Sequence, residues 1–356
     1  MKMLHLTACA IALSTLLTEA QPAPDERAAA IARAQVWLPT NIRAANIMAG
    51  PKDPGAFPFG ATVTCNYVDK DLSGRSPKFA CRIGTDDEVK VKFGGTNGEV
   101  YAEVAASRLL WALGFGADRM YPVRVVCRGC PREFNGTLRE NGDYIFDPAT
   151  IERKMPGLEI SGAWSWKELD KVDEEAGGAT RARRDALTLL AVFLQHTDTK
   201  PQQQRLVCLD PSTELRAGPN ARLDAPCRKP LMMVNDVGLT FGRANTFNEN
   251  DPSGMNLAAW SNTPVWKDAS SCVGNLPKSF TGTLDDPVIS EAGRRFLAGL
   301  LTQLSNRQIR DLFTVARVTL RGRTPGDGRD GFATVDEWVA AFKTKRAEIL
   351  NKRCSA

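Results

Sequence analysis

The pattern of hydrophobic and polar residues changes near residue 156, from one typical of strands to one typical of helices. Before this point the two kinds of residue alternate with a period of two, which predicts strands over residues 62–68, 78–83, 88–93, 119–126 and 149–154. After it, short strands are predicted over residues 205–209 and 231–234, and helices over residues 185–195, 290–304, 306–318 and 335–350. The fold class expected is therefore α+β, with a β-rich part followed by a mainly helical part.

One helix is predicted inside the β-rich part, directly after its third strand. Thr96 followed three residues later by Glu99 has the spacing of a capping box. Helix formers continue from there, and Gly114 is a typical stop. We therefore expect a helix over residues 97–113, with Glu99 serving its cap. A second capping box, Thr334 with Glu337, is expected at the start of the last helix.

The first twenty residues have the pattern of a removable leader. Lys2 precedes an apolar stretch over residues 4–17, and Ala20 ends the leader before a proline-rich segment. The apolar stretch is too short to span a bilayer comfortably, and no later stretch reaches the ~20 apolar residues that a membrane helix needs. We expect a signal peptide over residues 1–20 and an exported protein, periplasmic or secreted, with no transmembrane segment.

Cysteine usage agrees with export. Removing Cys9 with the leader leaves eight of the nine cysteines, and an even count in an exported chain favours disulfides. Cys65 and Cys81 lie symmetrically about the first predicted hairpin turn, so we predict that they are bonded. Cys127 and Cys130 form a CxxC with neither a second CxxC nor a nearby histidine, which favours a structural disulfide over zinc. A redox-active pair is the alternative.

Composition excludes several classes of function. The chain has 356 residues, 43% hydrophobic and 24% charged, which is enough to bury a full core. Its formal net charge of +5 is spread along the chain without a long basic run, so no nucleic-acid partner is expected. Of the two histidines, His5 lies in the leader, and His196 alone cannot build a site of several imidazoles. The chain also lacks the GxxxxGK[ST] and GxSxG motifs of nucleotide-binding loops and hydrolases.

The most informative stretch is HTDTKPQQ, residues 196–203, which lies between an apolar helix and a predicted strand. A histidine stands two residues before Asp198, Lys200 stands two after it and Gln203 five after it. This spacing resembles the catalytic loop of protein kinases, with glutamine in place of the usual asparagine. Further on, a buried-type strand ends at Asp236-Val237-Gly238, which resembles the metal-binding DFG segment with valine for phenylalanine.

A strand lysine and a helix glutamate complete the resemblance. Lys90 and Lys92 both lie on the third strand, and alternation places them on the same face, so spacing cannot choose between them. Lys92 is favoured because residues 91–93 resemble the strand lysine of HipA-like and phosphoinositide-kinase-like proteins. Glu103 on the following helix is the expected partner. The resemblance covers about residues 61–245 and is to the atypical branches of the protein-kinase-like superfamily, including the secretory-pathway kinases.

The resemblance implies a bilobal fold and a role for each site residue. An N-terminal helix and arm over residues 21–60 would precede an N-lobe over residues 61–155 and a C-lobe over residues 156–356. Lys92 would contact the α and β phosphates of ATP with Glu103 fixing it, Asp236 would bind magnesium, Asp198 would orient the acceptor hydroxyl, and Lys200 would offset developing charge. Manganese is an alternative metal, and Gln203 would be a weak ligand for a second ion. A disulfide between Cys208 and Cys227 would crosslink the hairpin that carries the metal-binding residue.

Two departures from the family pattern keep other functions open. Gln203 replaces asparagine, and the loop over residues 69–77 offers only Gly74 with Ser73 and Ser76 to cover phosphates. Lys78, just after this loop, is an additional candidate to supplement it, although a solvated surface lysine is the favoured interpretation. The leading hypothesis is an exported phosphotransferase that uses Mg-ATP on an unknown protein or small-molecule acceptor. The alternatives are a pseudokinase or binding module without turnover, and a nucleotidyl transferase on the same scaffold.

Overall fold

The computed structural model describes residues 24–160, 162–210, 227–242, 255–321 and 333–354, and shows mixed α and β structure. The predicted signal peptide lies outside these residues. The strands are β1 Thr62–Val68, β2 Lys78–Ile83, β3 Asp87–Phe93, β4 Arg119–Arg128, β5 Thr137–Leu138, β6 Tyr144–Arg153, β7 Leu158–Glu159, β8 Gln204–Cys208 and β9 Pro230–Val234. The α-helices are α1 Pro24–Ala32, α2 Glu99–Leu113, α3 Arg181–Leu194, α4 Leu257–Asn262, α5 Glu291–Leu301, α6 Asn306–Val315 and α7 Val335–Asn351.

Five of the strands close into a small barrel. Their order is β3-β2-β1-β4-β6, and β3 also pairs with β6, so that each of the five has a partner on both sides. The pair β1–β4 is parallel and the other pairs are antiparallel. Alternation sends Phe79, Phe93 and Phe146 inward, where Phe134 joins them with ring centroids 4.7 to 5.8 Å apart. The predicted strands are confirmed, but the closure was not foreseen.

Two disulfides lie side by side on the barrel. The predicted bond between Cys65 and Cys81 is confirmed. Its geometry differs from the expectation, because Tyr67 lies opposite Cys81 in the β1–β2 register and the bond therefore runs diagonally. Cys65 lies opposite Cys127 in the parallel pair, and Cys127 is bonded to Cys130. The CxxC is thus a disulfide buried in the β-rich part.

Helix α2 lies between the barrel and the helical part, and nearly all its residues are buried. The capping box predicted from Thr96 and Glu99 is wrong. The N-cap is Gly98, which has no side chain to cap the helix, and the side chain of Glu99 points away to an ion pair described below. Gly114 ends the helix as predicted, in the left-handed conformation with φ +91°.

A three-stranded sheet, β7-β8-β9, follows the barrel in sequence. Strands β8 and β9 are antiparallel, with Gln204 opposite Val234, so the loop before β8 lies beside the loop after β9. The predicted disulfide between Cys208 and Cys227 joins the other ends of these strands. The sheet therefore brings two segments that are far apart in sequence to the same edge.

The predicted helices are present, with shifted ends. Helix α3 begins at Arg181, four residues before the prediction, and helices α5 and α6 each end three residues early. The capping box of Thr334 and Glu337 is confirmed. A fourth disulfide, Cys272–Cys354, ties the end of the chain to the segment before α5. Four disulfides fit a protein of an oxidising compartment.

One large hydrophobic core joins α2, β8, β9 and the helices, and a second core fills the barrel. The N-terminal arm lies against the first core and runs from α1 to the barrel. Its Gln35 pairs with Leu231 of β9, and Trp37 donates a hydrogen bond to the carbonyl of Leu113 at the end of α2. In the part of the chain that the structure describes, no helix is both long and apolar enough to cross a bilayer.

Candidate functional site

The site is organised around Lys92, which lies near the end of β3, seven residues before α2 begins. Its side chain is 1% exposed. The ammonium Nζ donates to Glu103 Oε1 at 2.5 Å and to Glu99 Oε2 at 2.6 Å, and Asp236 Oδ2 lies 3.8 Å away. Glu99 and Glu103 are one helical turn apart, so α2 presents both carboxylates to the strand lysine. One ammonium is therefore surrounded by three carboxylates.

The charges of this cluster do not cancel. The carboxylates of Glu99 and Asp236 outnumber the single ammonium even when Glu103 is neutral, and oxygens of Glu99, Glu103 and Asp236 lie within 4.8 Å of one another. Burial opposes the charge on Lys92, yet the three carboxylates outweigh it and raise the pKa of the ammonium well above its usual range. Burial raises the pKa of Glu103 well above its usual range, although Lys92 opposes that shift. Lys92 therefore remains charged, and negative charge is left over for another cation.

Asp236 is the most exposed carboxylate of the three, with 28% of its side chain accessible. Burial would raise its pKa, but the charge of Lys92 and the amide of Gly238, which donates to Oδ1 at 3.0 Å, hold the pKa below its usual range. Gly238 is needed for a close approach, because a Cβ there would lie 2.7 Å from Cγ of Glu99. The turn after β9 therefore fits tightly against the start of α2.

Asp198 lies in the loop before β8 and accepts two hydrogen bonds on Oδ2. Lys200 Nζ donates at 2.9 Å and Gln203 Nε2 at 2.8 Å. The backbone carbonyl of Gln203 accepts from the amides of Asn235, at 2.8 Å, and Asp236, at 3.3 Å. Gln203 thus links the loop of Asp198 directly to the turn that carries Asp236, and the structure brings the two predicted carboxylates to one edge of the β8–β9 sheet.

His196 lies beside this loop but is closed off from solvent. It is 2% exposed, and within the described residues neither ring nitrogen has a hydrogen-bond partner. Its ring packs near that of Trp166, with centroids 6.2 Å apart. Burial lowers the pKa of His196, against the charges of Asp198 and Asp236. A buried neutral imidazole without partners supports the loop by packing, and nothing in its geometry presents it to a substrate.

The structure distinguishes between the two candidate lysines on β3. Lys90 forms an ion pair with Glu152 of β6. Burial alone would lower the pKa of Lys90, but the charge of Glu152 outweighs burial and the pKa is raised. Lys92 alone forms ion pairs with Glu103 and Asp236. The strand lysine of the cluster is therefore Lys92, and Lys90 belongs to a neighbouring pair on the barrel.

Two residues of the site were misjudged from sequence. The sequence predicts that Glu99 caps α2, and it favours a solvated position for Lys78 over a role beside the β1–β2 loop. Lys78 is instead half-buried and lies opposite Lys92 in the β2–β3 register. The hairpin pairing already implies that Lys78 lies opposite Lys92, because the two residues are equally far from the centre of the β2–β3 turn. Burial and the charge of Lys92 lower the pKa of Lys78.

A cavity of about 390 Å³ opens beside Lys78. It is bounded by the β1–β2 loop, by the connection from β3 to α2 and by the turn of residues 133–135. Phe93 and Phe134 form its apolar side, and Lys78, Ser76, Asn97 and the carboxylate-bearing Glu133 contribute polar groups. The β1–β2 loop therefore has open space beneath it at the end of the sheet where Lys78 and Lys92 lie.

Comparison with known proteins gives little beyond this geometry. No protein-family model and no curated protein matches the chain. Among solved structures, the chain is similar to the proinflammatory kinase CtkA of Helicobacter pylori, with 9% sequence identity and a TM-score of 0.41. The similarity covers 82% of this chain and 95% of the other. At this distance, function has to be argued from the residues of the site.

Proposed function

We propose that the protein is an exported phosphotransferase of the protein-kinase-like superfamily, which transfers a phosphoryl group from Mg-ATP to a protein or small-molecule acceptor. The observation that carries the proposal is the buried Lys92, paired with Glu103 and Glu99 and lying 3.8 Å from Asp236. In a bilobal arrangement this cluster would lie between a β-rich lobe, residues 61–155, and a helical lobe, residues 156–356.

A purely structural role explains this cluster poorly. Desolvating an ion pair costs several kcal/mol per ion, so buried pairs contribute little to stability. One carboxylate would satisfy Lys92, whereas three surround it. A cluster with surplus negative charge and one partly exposed carboxylate fits a divalent cation, and a fixed ammonium beside that cation fits a phosphate group.

The donor set also fits magnesium. Mg²⁺ prefers oxygen ligands and is usually held by one or two carboxylates together with substrate phosphates. Asp236, the most accessible carboxylate, would hold the ion, which would neutralise charge on the phosphates when bound. Manganese takes the same oxygen ligands. Gln203 remains a predicted ligand of a second ion, although its amide nitrogen is directed to Asp198.

On this proposal the remaining residues act on the acceptor side. Asp198 would accept a hydrogen bond from the acceptor hydroxyl and orient its oxygen towards the phosphoryl group. Lys200 already donates to Asp198 and would offset charge that develops on the transferred group. Lys92 would hold the α and β phosphates, with Glu103 keeping its ammonium in place.

One observation favours a second candidate, a pseudokinase or binding module without turnover. Gln203 occupies one oxygen of Asp198 through its amide nitrogen, which competes with an acceptor hydroxyl for that carboxylate. The loop over residues 69–77 also has a single glycine, Gly74, where a phosphate-covering loop usually has several. Nucleotidyl transfer on the same scaffold is a third possible chemistry.

Nucleotide binding can be tested by thermal unfolding of the purified protein with and without ATP and MgCl₂ or MnCl₂. A ligand that binds only the folded state stabilises it by RT ln(1 + [L]/Kd), so ligand at about 100 times Kd adds about 2.7 kcal/mol. We expect the wild type to be stabilised and Asp236→Ala to lose that stabilisation. Asp170→Ala, which removes an exposed carboxylate that is not part of the cluster, is the matched control and should behave as the wild type.

Absence of stabilisation in the wild type with either metal would refute the proposed nucleotide site. If the nucleotide binds, intact-protein mass after incubation with ATP separates the chemistries. A phosphoryl adduct supports phosphotransfer and a nucleotidyl adduct supports nucleotidyl transfer. Binding without any adduct, together with no loss of ATP, would support the pseudokinase.

A further inference from the structure

We propose that Lys78 is a second cationic ligand for the polyphosphate of the nucleotide, acting with Lys92 in place of a glycine-rich loop. The inference rests on the proposed function and assigns a substrate contact to a residue outside the family motifs. It is carried by the position of Lys78 on β2, by the contacts of its ammonium and by the composition of the β1–β2 loop.

Lys78 and Lys92 form a cross-strand pair. They are directly opposite each other in the β2–β3 register, and residues opposite each other in an antiparallel pair point to the same face of the sheet. Like charges in this position repel and destabilise a sheet. A pair of this kind is explained when an anion bridges the two ammonium groups.

The ammonium of Lys78 lies under the β1–β2 loop instead of extending into solvent. Its Nζ is 3.4 Å from Ser76 Oγ, and it is so close to Gly74 that a Cβ on that glycine would lie 2.7 Å from it. A surface lysine would extend its flexible chain into water. Lys78 is instead held at the rim of the cavity, beneath the loop that would cover a phosphate.

Among the described residues, Lys78 also lacks a carboxylate partner. In the described ranges, no carboxylate oxygen lies within 4.0 Å of its Nζ, whereas Lys90 has one such partner and Lys92 has three. Burial and the charge of Lys92 lower the pKa of Lys78, while Glu99 and Asp236 act in the opposite direction, so all four groups share one electrostatic environment. Lys78 therefore shares the electrostatic environment of Asp236, and no carboxylate of the described residues pairs with it.

The composition of the loop gives this arrangement a reason. Glycine-rich loops hold phosphates through backbone N–H groups, which need backbone that approaches the phosphates closely. Here the loop over residues 69–77 has only Gly74. A second ammonium on the neighbouring strand would attract the phosphates by its charge, where the loop offers few backbone N–H groups to bind them. Since both ammonium groups face the phosphates, dependence on Lys78 should grow with the number of phosphates.

The test compares wild type, Lys78→Met and Lys78→Gln in binding ATP, ADP, AMP and adenosine by calorimetry with MgCl₂. Removing one hydrogen bond to a charged group weakens ATP binding by about 10- to 100-fold, with smaller losses for ADP and AMP. Adenosine should bind all three proteins equally. Lys171→Met, which removes an exposed lysine paired with Glu168 outside this loop, is the matched control and should bind ATP as the wild type does.

A second readout distinguishes this role from a structural one. Without ligand, Lys78→Met should melt at a higher temperature than the wild type, since burial and the charge of Lys92 disfavour the ammonium more than Glu99 and Asp236 favour it. A structural lysine would give the opposite change. If the wild type binds ATP and both Lys78 variants bind it equally well, the inference is wrong and the proposed function stands. If the wild type binds none of the phosphorylated ligands, the proposed function itself fails.

Discussion

At the scale of single residues, His196 belongs to the most informative sequence motif, but its burial keeps it away from any substrate. It is the one histidine in the described part of the chain, it is 2% exposed, and neither of its ring nitrogens has a partner there. Its neighbour two residues on, Asp198, has charge-assisted hydrogen bonds from two side chains. The histidine of the motif therefore acts as a buried neutral ring, and its protonation opposes folding.

The pH dependence of stability follows from this burial. Because the pKa of folded His196 lies below the value of about 6.5 in the unfolded chain, the unfolded chain binds the proton first as pH falls. The free energy of unfolding should then decrease below about pH 6.5, by up to about 1.4 kcal/mol per pH unit. Asp118, whose pKa burial raises to about 6 against the pull of Arg205, works in the opposite direction at lower pH.

Urea unfolding of wild type and His196→Phe at a series of pH values isolates the histidine, because Asp118 is common to both proteins. The stability of the variant relative to the wild type should increase as pH decreases from about 7 to about 5. A difference that is constant over this range would show that the imidazole does not titrate on unfolding. Phenylalanine keeps an aromatic ring beside Trp166, which limits the packing change.

At the scale of elements, local patterns predicted what local interactions determine. Alternation located strands β1 to β4 and the core of β6, and the capping box of Thr334 located the start of α7. Pairings between distant segments, such as the parallel pair β1–β4 and the closure of β3 on β6, leave no local pattern and were missed. The predicted capping role of Glu99 is wrong for the same reason, because its carboxylate pairs with the ammonium of Lys92 on another element and does not cap the helix.

The site divides in the same way. Spacing in the sequence pointed to Asp198 and Asp236, and to Glu103 with a lysine on β3, because each lies in a short motif. It could not separate Lys90 from Lys92, which share a strand face, until the structure placed Glu152 opposite Lys90. The position of Lys78 also depends on register, which is determined by packing across the whole hairpin.

The four disulfides allow a test of what ties the elements together. In the chain-entropy model, a bond stabilises more when it closes a longer loop. The separations are 82 residues for Cys272–Cys354, 19 for Cys208–Cys227, 16 for Cys65–Cys81 and 3 for Cys127–Cys130. Double alanine variants should lose about 4–5 kcal/mol for the longest loop, about 3 for the two intermediate loops and about 2 for the shortest.

Chemical unfolding of the four double variants, with the other disulfides intact, checks this order. If the shortest loop has the largest effect, local packing around the barrel outweighs chain entropy. The two intermediate bonds serve as mutual controls, because their loops are nearly equal while one lies on the barrel and the other on the β8–β9 sheet.

At the scale of the whole molecule, the N-terminal arm connects elements that carry the site. It pairs with β9 through Gln35 and supports the end of α2 through Trp37, while Gln308 of α6 donates to the carbonyl of Ile42. Helix α2 carries both glutamates of the Lys92 cluster, and β9 ends just before Asp236. The arm therefore contacts the two elements whose relative position determines the geometry of the cluster.

Trp37 is the residue at which this coupling can be broken. Its indole N–H donates to the carbonyl of Leu113 at 2.7 Å, its ring packs edge-on against Phe296 of α5, and Arg183 of α3 lies over its face. Because the side chain is only partly buried, Trp37→Ala should cost about 2–3 kcal/mol, at or below the lower end of the range for buried tryptophans. Hydrogen exchange should become faster over residues 112–115, where the arm contacts α2, and stay unchanged in strand β2.

Trp266→Ala removes a more buried tryptophan far from the arm in sequence, and it should lower stability without this local effect. Equal acceleration over residues 112–115 in both variants would mean that these amides exchange by global unfolding and that the arm does not hold α2 locally.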